Sequence, residues 1–133
     1  MGAQLVSREN SRLLPLAILP VEQIKAINYE MPMASAQVKS AILLAGMYAD
    51  SKTFVTEPYV SRDHTEKMFE TFGVELYKEG TSVGIQKVEQ LISPETLEVP
   101  GDISSAAFWL VAASIIPNSN LTLKNVGVNK TRT

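Results

Sequence analysis

An α/β fold assembled from repeated βαβαββ units, with apolar helices held inside, is what this sequence predicts, and two features carry the expectation. Short β-branched runs alternate with helical stretches that are apolar on nearly every face, and a helix of that kind belongs inside a fold. The pattern also recurs. Laying Pro32 on Pro100, an offset of 68 residues, places Ala45 on Ala113 and Ser51 on Ser119 without a gap. In both copies a proline and a small polar cap lead into an apolar helix (41–49; 106–116), then a tight turn and a Thr-containing strand (53–56; 121–124). Internal repetition of this kind points to stacked supersecondary units.

Taken in order, residues 13–19 are apolar around Pro15, and residues 23–31 alternate imperfectly, Ile24, Ala26 and Asn28 against Lys25, Ile27 and Tyr29, so both read as strands. Pro32 precedes Ser35, a side chain suited to capping, and the run 38–49 predicts an interior helix. Residues 53–56, bounded by Lys52 and Pro58, read as a strand. Asp63, with Glu66 three residues later, opens a surface helix whose Met68, Phe69 and Phe72 form an inward stripe and whose Glu66, Lys67 and Glu70 are expected to face water. Gly73 stops it, and residues 74–77 and 83–88 form strands around a turn at 78–82. Gly80 and Gly84 lack the Gly-Lys-Ser/Thr ending of a nucleotide-binding loop and read as hairpin glycines. The sequence thus holds one complete unit, the tail of an earlier one and the head of a later one, so it is expected to be part of something longer.

Composition narrows the function classes. With 45% apolar and 20% charged residues, the 133-residue chain has the profile of a folded protein with a core. Twelve basic against fourteen acidic residues, a net charge of -2, would not hold a nucleic-acid backbone by bulk electrostatics, so any anion site must be local. The absence of cysteine excludes disulfides, thiolate zinc sites and a cysteine nucleophile within these residues, and fits a reducing compartment. The apolar run 41–49, flanked by Lys39 and Asp50, is far short of the roughly 20 residues a membrane span needs. Residues 1–12 carry Arg8, Glu9 and Arg12 without an apolar run, unlike a secretory or transit peptide. A cytoplasmic protein with neither nucleic-acid nor membrane partner is expected.

Three places could carry chemistry. Ser35 and Gln37 stand at the amino end of the first apolar helix, where unpaired N–H groups and partial positive charge could join them in cradling a phosphate. Ser35 could equally serve only as a cap, stabilising the helix by about 1 kcal/mol. Arg62, just ahead of a helix, could fork onto a phosphate or carboxylate, or merely pair with Asp63 or another neighbour. Asp102, Ser104 and Ser105 open the second apolar helix, as a second site or as a reused cap. His64, the sole histidine, has no second histidine or cysteine to share a metal, and no Gly-x-Ser-x-Gly elbow supports a hydrolase triad.

Four motifs in order, Tyr29-Glu30-Met31-Pro32 with 34–41 (Ala-Ser-Ala-Gln-Val-Lys-Ser-Ala), 61–66 (Ser-Arg-Asp-His-Thr-Glu), 99–108 (Val-Pro-Gly-Asp-Ile-Ser-Ser-Ala-Ala-Phe) and 127–132 (Gly-Val-Asn-Lys-Thr-Arg), resemble the 5-enolpyruvylshikimate-3-phosphate synthase family over essentially the whole chain. The full family enzyme is about three times longer, and the segment resembles its middle. The resemblance implies two inside-out prism domains, each with sheets outside and three helices within. Residues 1–97 would belong to the amino-terminal domain and 98–133 to the start of the carboxy-terminal one.

It also implies transfer of the enolpyruvyl group of phosphoenolpyruvate to the 5-hydroxyl of shikimate-3-phosphate, with no metal or organic cofactor. Ser35 matches a shikimate-3-phosphate ligand, Gln37 a residue contacting both substrates, and Arg62 an arginine on the same ligand in the branch bearing Ser-Ala-Gln. Thr56 and Tyr59 match lining positions of the other branch, and Ala36 stands where the family often has a second serine. The family's catalytic Asp and Lys, its Gly-rich phosphoenolpyruvate loop and its late arginines match regions outside this chain. No catalytic residue is therefore expected within it, and alone it should be inert. The full-length enzyme is expected to be a monomer, and the isolated segment to self-associate through exposed sheet edges. The alternatives are the sister UDP-N-acetylglucosamine enolpyruvyl transferase and a non-catalytic binding module; Ser-Ala-Gln-Val-Lys resembles the shikimate branch.

Overall fold

The structure, a computed structural model, describes residues 1–132, leaving aside the side chains of Asn10 and Ser11. The chain divides into two compact units, Met1–Ser93 and a second from Pro94 onward. In the first, strand β1 (Gln4–Ser7), helix α1 (Arg8–Ser11) and strand β2 (Leu13–Leu19) make an antiparallel ribbon with Gln4 opposite Leu19. There follow β3 (Asn28–Glu30), α2 (Ala36–Gly46), β4 (Thr53–Thr56), α3 (His64–Thr71), β5 (Leu76–Glu79) and β6 (Ser82–Ile85). These six form one βαβαββ unit around a sheet in the order β3-β4-β6-β5. β3 runs parallel to β4, with Tyr29 opposite Val55, so α2 is the crossover that parallel pairing demands.

The core lies between that sheet and the two helices: Met31, Leu43, Met47, Val55, Phe69, Val74 and Ile85 are buried together, with Ile42, Leu76, Val83 and Val88 packed against them. Gly46 lets α2 approach the sheet, since a Cβ there would stand 2.7 Å from Ile85 Cγ2. Helix α3 ends in a Schellman motif: Gly73, with φ +74°, donates to Glu70 O at 3.1 Å, and Val74 N donates to Phe69 O at 2.9 Å. The β5–β6 hairpin turns on Gly80-Thr81, shorter than the predicted 78–82, with Gly80 at φ +57°.

Several expectations are corrected. The strand expected over 23–31 pairs regularly only at Asn28–Glu30, because the Asp50 carboxylate takes the Ala26 N–H at 2.9 Å in place of a ladder carbonyl. Helix α2 is not enclosed all round: Lys39, Leu43 and Gly46 face the sheet and are buried, while Val38 and Leu44 are exposed. Glu66, expected in water, is buried, and Met68, expected in the inward stripe, is exposed, so α3 turns its Glu66–Phe69 edge inward. The reason is electrostatic, since Lys39 waits there as a counter-ion.

In the second unit the apolar helix forms as α4 (Ile103–Ile115), capped by Asp102, but only Ala106 is buried, and Phe108, Trp109 and Ile115 are exposed. Residues 121–124 are not a strand. The parallel pairing that brackets α4 is one bridge, Gly101 to Val126, so among the described residues of that unit no sheet covers the helix. No helix of the described residues is long and apolar enough to cross a membrane.

Candidate functional site

The first turns of α2 and α3 converge on one cleft. It has a volume of about 460 Å³ and is lined by Ala36, Gln37, Ser40, Ala41 and Leu44 from α2, by His64 and Thr65 from α3, and by Arg62 just ahead of it. Pro32 and the extended backbone of Ser35 fix where α2 starts, and Asp63, also ahead of α3, is drawn off by Lys67 Nζ at 3.1 Å. Two helix amino ends therefore present N–H groups and partial positive charge to the same space, with a guanidinium beside them and no carboxylate among the lining side chains. That is an arrangement for receiving an anion.

Of the residues singled out from sequence, the cleft brings together Gln37 and Arg62, with Ala36 and His64 also in its lining. Ser35 is not part of the lining: its Oγ accepts from Val38 N at 3.4 Å, a long capping bond. Thr56 Oγ1 donates to Ser82 Oγ at 3.1 Å across the sheet, and Tyr59 is exposed. Sequence reasoning missed Ser40 and Thr65. Ser40 Oγ spends its proton on Ala36 O at 2.7 Å, so Thr65 Oγ1 is the donor in the 2.6 Å bond that ties α3 to α2.

It also missed a buried ionic cluster behind the cleft. Lys39 Nζ lies 2.8 Å from Glu57 Oε2 and 2.7 Å from Glu66 Oε1, and the three residues are only 1%, 3% and 2% exposed. Burial pulls the Lys39 ammonium pKa down, but the two carboxylates outweigh it and hold the value above the usual 10.5. Burial pushes the Glu57 carboxyl up, and bonds from Lys39 and Ser61 more than reverse this, leaving it below the usual 4.5. Only one part of the signal was present in the sequence: Lys39 falls at helical spacing with Leu43 and Gly46, the residues of α2 that prove buried, while its two carboxylate partners lie far along the chain.

In the second unit Asp102 acts as a cap. Its Oδ1 accepts from Ser104 N at 3.0 Å, and Ser105 Oγ donates to Oδ2 at 3.3 Å. The Ser104 backbone bond in particular holds the Asp102 carboxyl below its ordinary range. Arg132 donates to Ser104 Oγ and stands 3.8 Å from Asp102 Oδ1. Among the described residues no three His, Cys, Asp or Glu side chains gather as a metal site.

The family model of EPSP synthase (3-phosphoshikimate 1-carboxyvinyltransferase) matches residues 1–133. The chain belongs to the EPSP synthase family. Among curated relatives, the 3-phosphoshikimate 1-carboxyvinyltransferase of Bacillus thuringiensis (strain Al Hakam) is 55% identical over all 133 residues. Two solved structures of EPSP synthase from Acinetobacter baumannii superpose over the whole chain, with TM-scores of 0.82 and 0.83 and identities of 44% and 46%. The chain spans 30% of the length of each of these relatives. The EPSP synthase relatives carry the name of an enzyme of the shikimate branch, so the UDP-sugar alternative is not favoured.

Proposed function

We propose that these residues supply part of the shikimate-3-phosphate site of a 3-phosphoshikimate 1-carboxyvinyltransferase, the cleft between α2 and α3 receiving the ligand's phosphate. The observation that carries this is the convergence of two helix amino ends, Gln37 and Arg62 on one space lined without a carboxylate. In the reaction the 5-hydroxyl oxygen of shikimate-3-phosphate bonds to C2 of phosphoenolpyruvate and gives up its proton, while the C2–C3 π bond opens and C3 takes up a proton to give a tetrahedral intermediate. C3 then loses a proton, the C2–C3 double bond re-forms, and the bond from C2 to the phosphate oxygen breaks, releasing phosphate. Arg62 binds the shikimate ligand, and Gln37 touches both substrates at the reacting centre. Ser35 holds the helix end that faces the phosphate, as its cap. The acid–base groups come from outside these residues.

The same reading assigns residues 1–97 to an amino-terminal prism domain and 98–133 to the beginning of a carboxy-terminal one. The division into compact units after Ser93 supports a boundary in this region. The exposed apolar face of α4 is what a helix awaiting further cover would show. A cytoplasmic setting belongs to this reading too, supported by a cysteine-free composition.

The test is a chimera in which residues 1–133 replace the matching 30% of the B. thuringiensis relative. It is expected to turn over shikimate-3-phosphate and phosphoenolpyruvate. Arg62→Ala should raise KM for shikimate-3-phosphate about tenfold, the worth of a charge-assisted contact, whereas Ser104→Ala should leave it within twofold. Equal effects of the two substitutions would remove Arg62 from the site.

A further inference from the structure

We propose that Lys39 is a positioning residue for Arg62: through Glu57 and Glu66 it pins both ends of the segment that carries the guanidinium against the helix that carries Gln37. The inference rests on the anion-site reading above and adds a device to it. Lys39 lies two residues beyond Gln37 on α2, so when Gln37 faces the cleft, Lys39 points into the protein. Its ammonium holds Glu57, the residue that follows β4, and Glu66, in the first turn of α3. The segment between these two carboxylates contains Arg62.

Glu57 Oε2 does double duty. It accepts from Lys39 at 2.8 Å and from the backbone N–H of Ser61, the residue before Arg62, at 3.3 Å. Glu57 N in turn donates to Thr81 O at 3.1 Å, which anchors this corner to the hairpin. On the far side of Arg62, Glu66 fixes the start of α3 to the same ammonium at 2.7 Å. The Ser40–Thr65 bond is a further polar tie between α2 and α3 near the cleft, and it lies beyond Arg62. Deleting the ammonium takes away the partner that Glu57 and Glu66 share, so the Ser61 bond to Glu57 is no longer tied through that carboxylate to α2. A buried ion cluster is weak evidence for stability by itself, because neutral side chains of similar size can serve as well. Its placement astride a substrate-facing guanidinium is what gives it a role in geometry.

A double-mutant cycle in the chimera tests this. Lys39→Met is expected to raise KM for shikimate-3-phosphate about tenfold with kcat within about twofold, and to add less than about twofold when Arg62 is already alanine. Where Lys39→Met does not fold, the neutral triple Lys39→Met, Glu57→Gln, Glu66→Gln runs the same cycle, since it leaves no charge buried alone. A KM unchanged by either variant, or a loss just as large in the Arg62→Ala background, overturns the positioning role. No effect of Arg62→Ala itself would overturn the anion-site reading and this inference with it, which separates the two failures.

Discussion

Urea unfolding of the chain is expected to show Lys39→Met destabilised by about 3–5 kcal/mol near neutral pH, the cost of leaving buried charge without its partner. Two carboxylates, Glu57 and Glu66, would remain inside, each at most 3% exposed, facing each other across the missing ammonium. Against a total stability of about 5–15 kcal/mol for a typical domain, this is a large fraction of the whole. Removing all three charges together should recover most of the loss, because what costs is an unpaired ion rather than the absence of an ion pair.

The pH dependence follows from the two shifted groups. Glu57 has its folded value below 4.5, so its contribution is present above that pH and disappears as pH falls through the folded value. Lys39 has its folded value above 10.5, so its contribution is present below that pH and disappears as pH rises through the folded value. Wild-type stability from the cluster is therefore flat between about pH 5 and 10. In Lys39→Met the penalty should shrink on acidification, as the stranded Glu57 carboxylate takes up a proton. A penalty independent of pH between 4 and 7 would mean that the loss is one of packing.

The second large effect is on activity. In the chimera, Gln37→Ala is expected to lower kcat/KM about a hundredfold or more, since a polar group at the reacting centre contributes on the scale of an oxyanion donor. Both kcat and KM should respond, because Gln37 is assigned to both substrates. Arg62→Ala, assigned to one substrate, should act mainly through KM. The contrast between the two profiles is more diagnostic than the size of either loss. A Gln37→Ala enzyme within threefold of its parent would remove the residue from the reacting centre.

What the sequence made legible was local. The β-branched run 53–56 between Lys52 and Pro58 is β4 to the residue, the Leu13–Leu19 strand is likewise β2, and Gly73 stops α3 where a left-handed residue is needed. The βαβαββ order followed from such pieces. What stayed hidden depends on partners far along the chain. Glu66 reads as a surface residue in any count of polar and apolar positions, and only the arrival of Lys39 from α2 makes its burial tolerable. The same blindness applies to α4, whose apolar circumference says that it wants cover but not whether cover is at hand.

The cleft divided in the same way. Gln37 and Arg62 were visible because a polar amide at a helix start and an arginine before a helix are recognisable locally. Ser40 and Thr65 were not, because their bond joins two helices whose crossing no periodicity encodes.

The most direct measurement is the crystal structure of the chimera with shikimate-3-phosphate bound. The phosphate is expected between the first turns of α2 and α3, with Arg62 nitrogen atoms and Gln37 within about 2.7–3.2 Å of ligand oxygens. A bound ligand whose phosphate lies elsewhere, with Gln37 and Arg62 both out of reach of it and the space between the two helix ends left open, would contradict the account.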